Sequence, residues 1–176
     1  MNKRIFVSIV FLLSLLLLTA CNVSEKDALG NAELALEQTL EMEPMEGTAE
    51  GEDFTYYIPS GFTVDEDIEG SNNVVLNDKE QLYILFVNPF EQDDSKVVFE
   101  STLLSYNNVL INESFMKDNK FVYLIIDKEQ QKDGEYEVTF GIGGVKITTV
   151  TDTNNMEDSV RKMVEIVSSV NLEGEE

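Results

Sequence analysis

Residues 135–170 read EYEVTFGIGGVKITTVTDTNNMEDSVRKMVEIVSSV, and the change of period inside them decides the fold class. Glu135 to Phe140 alternates polar and apolar side chains, as a half-buried strand does. Gly141-Ile142-Gly143-Gly144 interrupts the run, and Val145 to Thr151 resumes it as a β-branched strand. From Met156 the period lengthens. Met156, Val160, Met163, Val164, Val167 and Val170 follow at steps of 4, 3, 1, 3 and 3, one face of a helix, with Asp158, Arg161, Lys162 and Glu165 on the other side. Asn154, with Glu157 three residues on, predicts a capping box at the helix start. Strands running into one amphipathic helix predict an α+β fold: a mainly antiparallel sheet of about six strands packed against that C-terminal helix.

Upstream, the same reading continues. Phe121 to Ile126 is a strand, and the turn residues Lys132-Asp133-Gly134 join it to the next, which makes an antiparallel meander with Val145–Thr151. Gln81 to Asn88 is apolar on nearly both faces, which predicts a strand covered on both sides. Val74 to Leu76 pairs with it across a four-residue loop, Asn77-Asp78-Lys79-Glu80. Phe54 to Ile58 and Phe62 to Ile68 are shorter strands separated by Pro59-Ser60-Gly61, in which Gly supplies a positive φ. Asp93-Asp94-Ser95 would cap a second helix through Val97, Val98, Ser101 and Leu104.

The N-terminal part differs. Lys3 and Arg4 precede an apolar run from Ile5 to Leu18, too short to span a bilayer, and small residues follow, the layout of an export signal over 1–20. Leu18-Thr19-Ala20-Cys21 resembles the lipobox of bacterial lipoproteins. That resemblance implies cleavage before Cys21, a diacylglyceryl group on its thiol (palmitate-type chains), and a protein anchored in the cell membrane facing outward. Two acyl chains supply the two signals that stable anchoring needs, and lipidation consumes a thiol that would otherwise be a liability after export. Composition poor in His and Trp and rich in Asn, Lys and Glu suggests a low-GC Gram-positive surface. Residues 21–53 read as an acidic tether, with ten carboxylates and only Lys26 opposing them across 22–53. A short helix over Ala32 to Met42 would be capped by Asn31 and stopped by Pro44, either packed on the domain or held off as a spacer. One domain then occupies 54–172, and 173–176 is an acidic tail.

The domain entry Tyr57-Ile58-Pro59-Ser60-Gly61-Phe62, the strand Leu82 to Asn88 running into Pro89, the meander and the closing helix are similar to the Mog1/PsbP-like fold. The resemblance covers roughly 54–172 and implies a binding or assembly accessory. It transfers no functional residue.

Composition removes several activities. Among 176 residues, 34 acids face 12 bases, a net charge of −22 that becomes −24 once Lys3 and Arg4 are cut off, which opposes nucleic-acid binding. The absence of His removes Ser-His-Asp and Cys-His mechanisms, and one Cys allows neither an internal disulfide nor a zinc-thiolate cluster. Asp65, Asp67 and Glu69, with Gly70, imitate the first half of an EF-hand loop and are candidate Ca²⁺ ligands, although Leu76 stands where a bidentate Glu belongs. The clusters Glu91/Asp93/Asp94 and Asp133/Glu135 read as acidic turns. The glycine run 141–144 reads as a turn between strands and not as a phosphate cradle, and Ser95-Lys96 lacks the frame of a catalytic dyad. Tyr56, Tyr57, Tyr83 and Tyr106 are candidates for an exposed binding face. The leading expectation is a non-catalytic, lipid-anchored accessory that binds an envelope protein and needs no cofactor. The alternatives are a small-molecule or Ca²⁺-binding module and a carboxylate-based hydrolase of wall glycans.

Overall fold

A computed structural model describes residues 23–65, 72–79, 81–129, 132 and 134–172. The fold is α+β, with antiparallel sheets and a C-terminal helix packed on the larger one. In chain order the elements are α1 (Glu25–Leu40), β1 (Ala49–Glu50), β2 (Phe54–Tyr56), β3 (Phe62–Val64), β4 (Asn73–Asp78), β5 (Gln81–Val87), α2 (Val97–Leu103), β6 (Val109–Lys117), β7 (Lys120–Lys128), β8 (Tyr136–Ile142), β9 (Val145–Thr151), α3 (Met156–Ser168) and β10 (Asn171–Leu172).

The large sheet runs β3-β4-β5-β9-β8-β7-β6, so the chain crosses from β5 to the far edge and returns through three hairpins. The meander β7-β8-β9 pairs Leu124 with Phe140 and Phe140 with Ile147. Asp118 and Asn119 form the turn that joins β6 to β7, at φ of 50° and 65°, the two positive values of a type I′ hairpin, in residue types that tolerate them. Gly61 sits at φ 94° beneath the Phe62 N–H bond to the Pro59 carbonyl, 3.1 Å, which is the positive-φ glycine expected in that turn. A small second sheet, β1-β2-β10, ties the domain entry to the end of the chain.

One face of the large sheet carries both long helices. α3 buries Met156, Val160, Met163, Val164 and Val167 on the stripe read from sequence. Its cap differs from the expectation. Asn155 is the N-cap and makes no side-chain cap bond, while the Asn154 side chain instead accepts the Val23 N–H at 3.2 Å.

The helix of the acidic segment is longer and earlier than the 32–42 reading, and the segment is no tether over its described part. Ser24 caps it, its Oγ accepting from the Asp27 N–H at 3.2 Å, and the helix ends at Leu40, well before Pro44. Ala28, Ala32, Ala35, Leu36 and Thr39 form its buried face, and four of these carry side chains no larger than Thr, so the sequence offered little bulk to betray a core element. Both ends are clamped. Glu25 Oε2 accepts from Lys128 Nζ at 2.6 Å and from the Tyr136 hydroxyl at 2.7 Å, and Lys117 Nζ reaches Glu41 at 2.8 Å.

Two further corrections concern strands. β5 is not covered on both faces: Tyr83, Leu85 and Val87 are buried, whereas Leu82 is 54% and Ile84 47% exposed. The strand buried on both faces is β7, where Phe121 to Ile126 are all in the core. The loop between β4 and β5 is also tighter than the four residues expected, since Asp78 pairs with Gln81. The expected strand through Ile68 is described only to Asp65.

Ala32 has no exposed surface, so Ala32→Leu should cost about 1–3 kcal/mol through overpacking. A urea midpoint lowered without loss of far-UV helix signal would show it. Glu113 on β6 is a second test. Burial, with Glu33 and Glu37 nearby on α1, pushes its carboxyl above the usual range. The folded state then holds that proton more tightly than the unfolded chain, so this group lowers stability as pH rises through the window between the two pKa values. Glu113→Gln should therefore be more stable than the parent at pH 8, with the difference closing toward pH 4, in urea titrations at each pH. Glu25 works the other way: hydrogen bonds from Lys128 and Tyr136 lower its pKa, so its contribution persists to lower pH and is lost only on further acidification.

Candidate functional site

The face opposite α1 and α3 is only half covered. α2 and the loop after it pack Phe99, Leu103 and Tyr106 against Phe121, Tyr123 and Ile125, over β7 and the adjoining part of β8. The register sets side chains in rows that run from beneath that cover out across the sheet. Val75, Ile84, Thr148 and Thr139 are successive partners in one row, and Asn73, Phe86, Lys146 and Gly141 in the next. Leu82 and Val150 continue the apolar part, the latter 43% exposed.

This bare half opens into a groove of about 1100 Å³ that reaches the start of α3. Its floor holds Leu82, Ile84 and Val150, and its walls hold Asp78, Glu135, Glu137, Asp152 and Asp158 against Lys79, Lys132 and Lys162. Two of those lysines are already committed. Lys132 lies 3.3 Å from Glu135, and Lys162 bridges Asp78 at 2.7 Å and Asp158 at 2.6 Å. Burial works to lower the Lys162 pKa, but the hydrogen bonds to Asp158 and Asp78 outweigh it and hold the ammonium well above its ordinary value. The same pairs occupy Glu135, Asp78 and Asp158, so Glu137 and Asp152 are left against Lys79, and the groove keeps a modest acidic excess around an apolar floor.

A part-buried hydrogen-bond network fixes the groove's helix side. Gln81 Nε2 donates to Thr149 Oγ1 at 3.0 Å and to Ser159 Oγ at 2.9 Å, and Ser159 in turn donates to the Asn155 carbonyl at 2.9 Å. On the α2 side the Tyr106 hydroxyl donates to Glu137 Oε1 at 2.9 Å, and it lies 2.7 Å from Thr139 Oγ1, which meets Thr148 Oγ1 at 2.7 Å. Burial drives the Tyr106 pKa far up, so its hydroxyl stays a donor. Lys146 reaches Thr102 Oγ1 at 3.0 Å and stands 5.9 Å from the Phe86 ring centre; burial lowers its pKa, which the nearby Glu137 partly opposes.

The glycine run behaves as a structural joint. Gly143 has φ 53°, and a Cβ there would fall 2.5 Å from the Gln92 carbonyl. Gly141 lies beneath Tyr123, whose buried hydroxyl has no hydrogen-bond partner among the described residues and would meet such a Cβ at 2.3 Å. The Gly143 contact seats the loop that leads to α2 and the Gly141 contact makes room for Tyr123, which explains both glycines without a phosphate.

Of the candidates read from sequence, Tyr56 and Tyr83 are buried and belong to the core, so they do not form an exposed face. Tyr57 is half-buried, and Tyr106 serves the network above. Asp67 and Glu69 lie outside the described residues. The Asp65 N–H pairs with the Val75 carbonyl at 2.9 Å, and Leu76 is fully buried in β4. Asp93 is ion-paired with Lys120 at 2.6 Å. Ser95 donates to Glu91 while Lys96 stands 5.1 Å from the Phe121 ring centre, so the two do not form a nucleophile and base. Among the described residues no group of three or more acidic or thiol side chains is placed to hold a metal. The carboxylates that burial pushes up, Glu113 and Glu165, are not in the groove. The groove itself was missed at the sequence level, because the apolar outer face of β5 reads the same whether a helix covers it or not. Compared with family models and with curated proteins, the chain matches none.

Since Leu82 and Ile84 already face solvent, Leu82→Ala and Ile84→Ala should each change stability by no more than about 0.5 kcal/mol. Ser159→Ala, which strips buried groups of a partner, should cost about 1–3 kcal/mol. Thermal or urea unfolding of the three variants separates a surface kept for binding from one kept for folding.

Proposed function

We propose that this chain is a non-catalytic, lipid-anchored accessory outside the cytoplasmic membrane, and that the bare half of its sheet docks a segment of an envelope protein. The observation that carries the reading is the exposed row of Leu82, Ile84 and Val150 on an otherwise well-packed sheet, bordered by an excess of carboxylates. Apolar side chains left in water on one contiguous face mark interaction surfaces more often than they serve folding. The charge of the walls specifies the occupant: a segment apolar in its middle and flanked by Lys or Arg. A second copy of this chain is a poor occupant, because a protein with a net charge of −22 repels itself. The anchor rests on Leu18-Thr19-Ala20-Cys21, which lies outside the described residues. The likeness of Pro59-Ser60-Gly61-Phe62 and the closing helix to Mog1/PsbP-like accessories supports the same reading.

Intact cells expressing a photo-crosslinking side chain at Ile84 test it. The expected result is one envelope protein, crosslinked through a segment rich in Lys or Arg. Leu82→Glu, which leaves the core untouched, should abolish the product, and Cys21→Ser should reduce it strongly. A product that survives Leu82→Glu, or one carried by an acidic segment, overturns the docking reading. Membrane retention of an acylated Cys21→Ser protein overturns the anchor.

A further inference from the structure

The end of the fold nearest Cys21 is fastened, and this has a geometric outcome that rests on the anchor reading above. The Val23 N–H is bonded to the Asn154 side chain, and α1 begins two residues later, held by Lys128 and Tyr136 through Glu25. Only Asn22 separates Val23 from Cys21. Two residues of extended chain span about 7 Å at most. The leash cannot lengthen by peeling α1 away, because that would expose Ala28, Ala32, Ala35 and Leu36 and break the ion pair of Glu41 with Lys117 at the far end.

We propose that acylated Cys21 holds this domain directly against the bilayer, with the Asn154 end inward, so that the groove opens at the lipid surface. Asp152 and Asn155, in the same turn as Asn154, line the groove, as do Lys132 and Glu135 next to Tyr136. The partner that fits this presentation is a membrane-bound protein with its basic segment at headgroup level, and not one diffusing freely. The inward end carries Glu25, Asp27 and Asp152 with Lys26 and Lys128, a mixed surface with no basic excess to adsorb on anionic lipid. Its position is therefore imposed by the leash, whose span is shorter than the roughly 8 Å screening length at physiological salt.

The experiment uses the acylated protein in vesicles. Lipidation consumes the chain's one thiol, so a single introduced cysteine takes a fluorophore specifically. Lys26→Cys and Gln38→Cys place the label on exposed positions of α1 about 18 Å apart along its axis. With a headgroup-attached quencher, the Lys26 label should be quenched several-fold more than the Gln38 label, equally at low and high salt. Insertion of 20 Gly/Ser residues between Asn22 and Val23, which reach about 25 Å, should remove most of that difference. Equal quenching at the native spacing overturns the proposal, as does a bias that survives the insertion or vanishes in salt. If Cys21 proves unacylated, the anchor reading has failed; the parent chain, with Cys21 as its one thiol coupled to a maleimide lipid and the fluorophore carried by a non-thiol unnatural side chain at position 26 or 38, still measures the leash, so the two failures are distinguishable.

Discussion

Everything else in this molecule is arranged around the contact between α1 and α3. The two helices lie side by side on one face of the large sheet and run parallel: Val23 meets Asn154 at one end, and Thr39 and Met42 lie with Val164 and Ser168 at the other. Parallel dipoles repel, and the acids in both first turns, Glu25 and Asp27 in one, Glu157 and Asp158 in the other, lessen that cost. Close approach is possible because α1 contributes Ala28, Ala32 and Ala35 to the buried face. Bulkier side chains there would lift the first helix off the last and uncover the sheet beneath.

With both long helices on one side, the other side receives, among the described residues, only the seven residues of α2 and the loop after it. That helix shields Phe121, Tyr123 and Ile125 and can reach no further, which leaves β4, β5 and the adjoining edge of β9 to water. The bare half is therefore the geometric remainder of how the core was closed. Its polar borders are nonetheless built with care. Ser159 gathers Gln81 on one side, Tyr106 gathers Glu137 and Thr139 on the other, and the apolar floor between them is held by a rigid sheet and not by a loop. A surface supported in this way loses little side-chain freedom on binding, which is the circumstance in which a modest patch binds well.

The sequence disclosed the elements whose signals were strong and local. The period of Met156 to Val167 and the meander from Phe121 to Thr151 were legible because bulky apolar side chains marked the faces. Whether α1 packs or stands off was not legible, because alanine carries little hydrophobic signal and because ten carboxylates between 22 and 53 resemble solvated chain, although most of them occupy only its outer face or the loop beyond it. β6 went unread: Asn112, Glu113 and Ser114 are poor strand formers, and they pair only because β7 offers an edge to them. The groove was illegible for a related reason. Leu82 and Ile84 advertise burial, and only the shortness of α2 decides that they are left uncovered.

The joining of the first helix to the last has a kinetic side. Residues 28–39 pack against residues 156–167, and β2 pairs with β10 at 171–172, so contacts that close the core are among the most distant in the chain. Such closure is slow, since the intervening loop entropy must be met first. A chain threaded through a membrane from its N-terminus would emerge with α1 exposed and unable to lock until α3 follows. On the export reading proposed above, the fold would stay open until the last strand arrives.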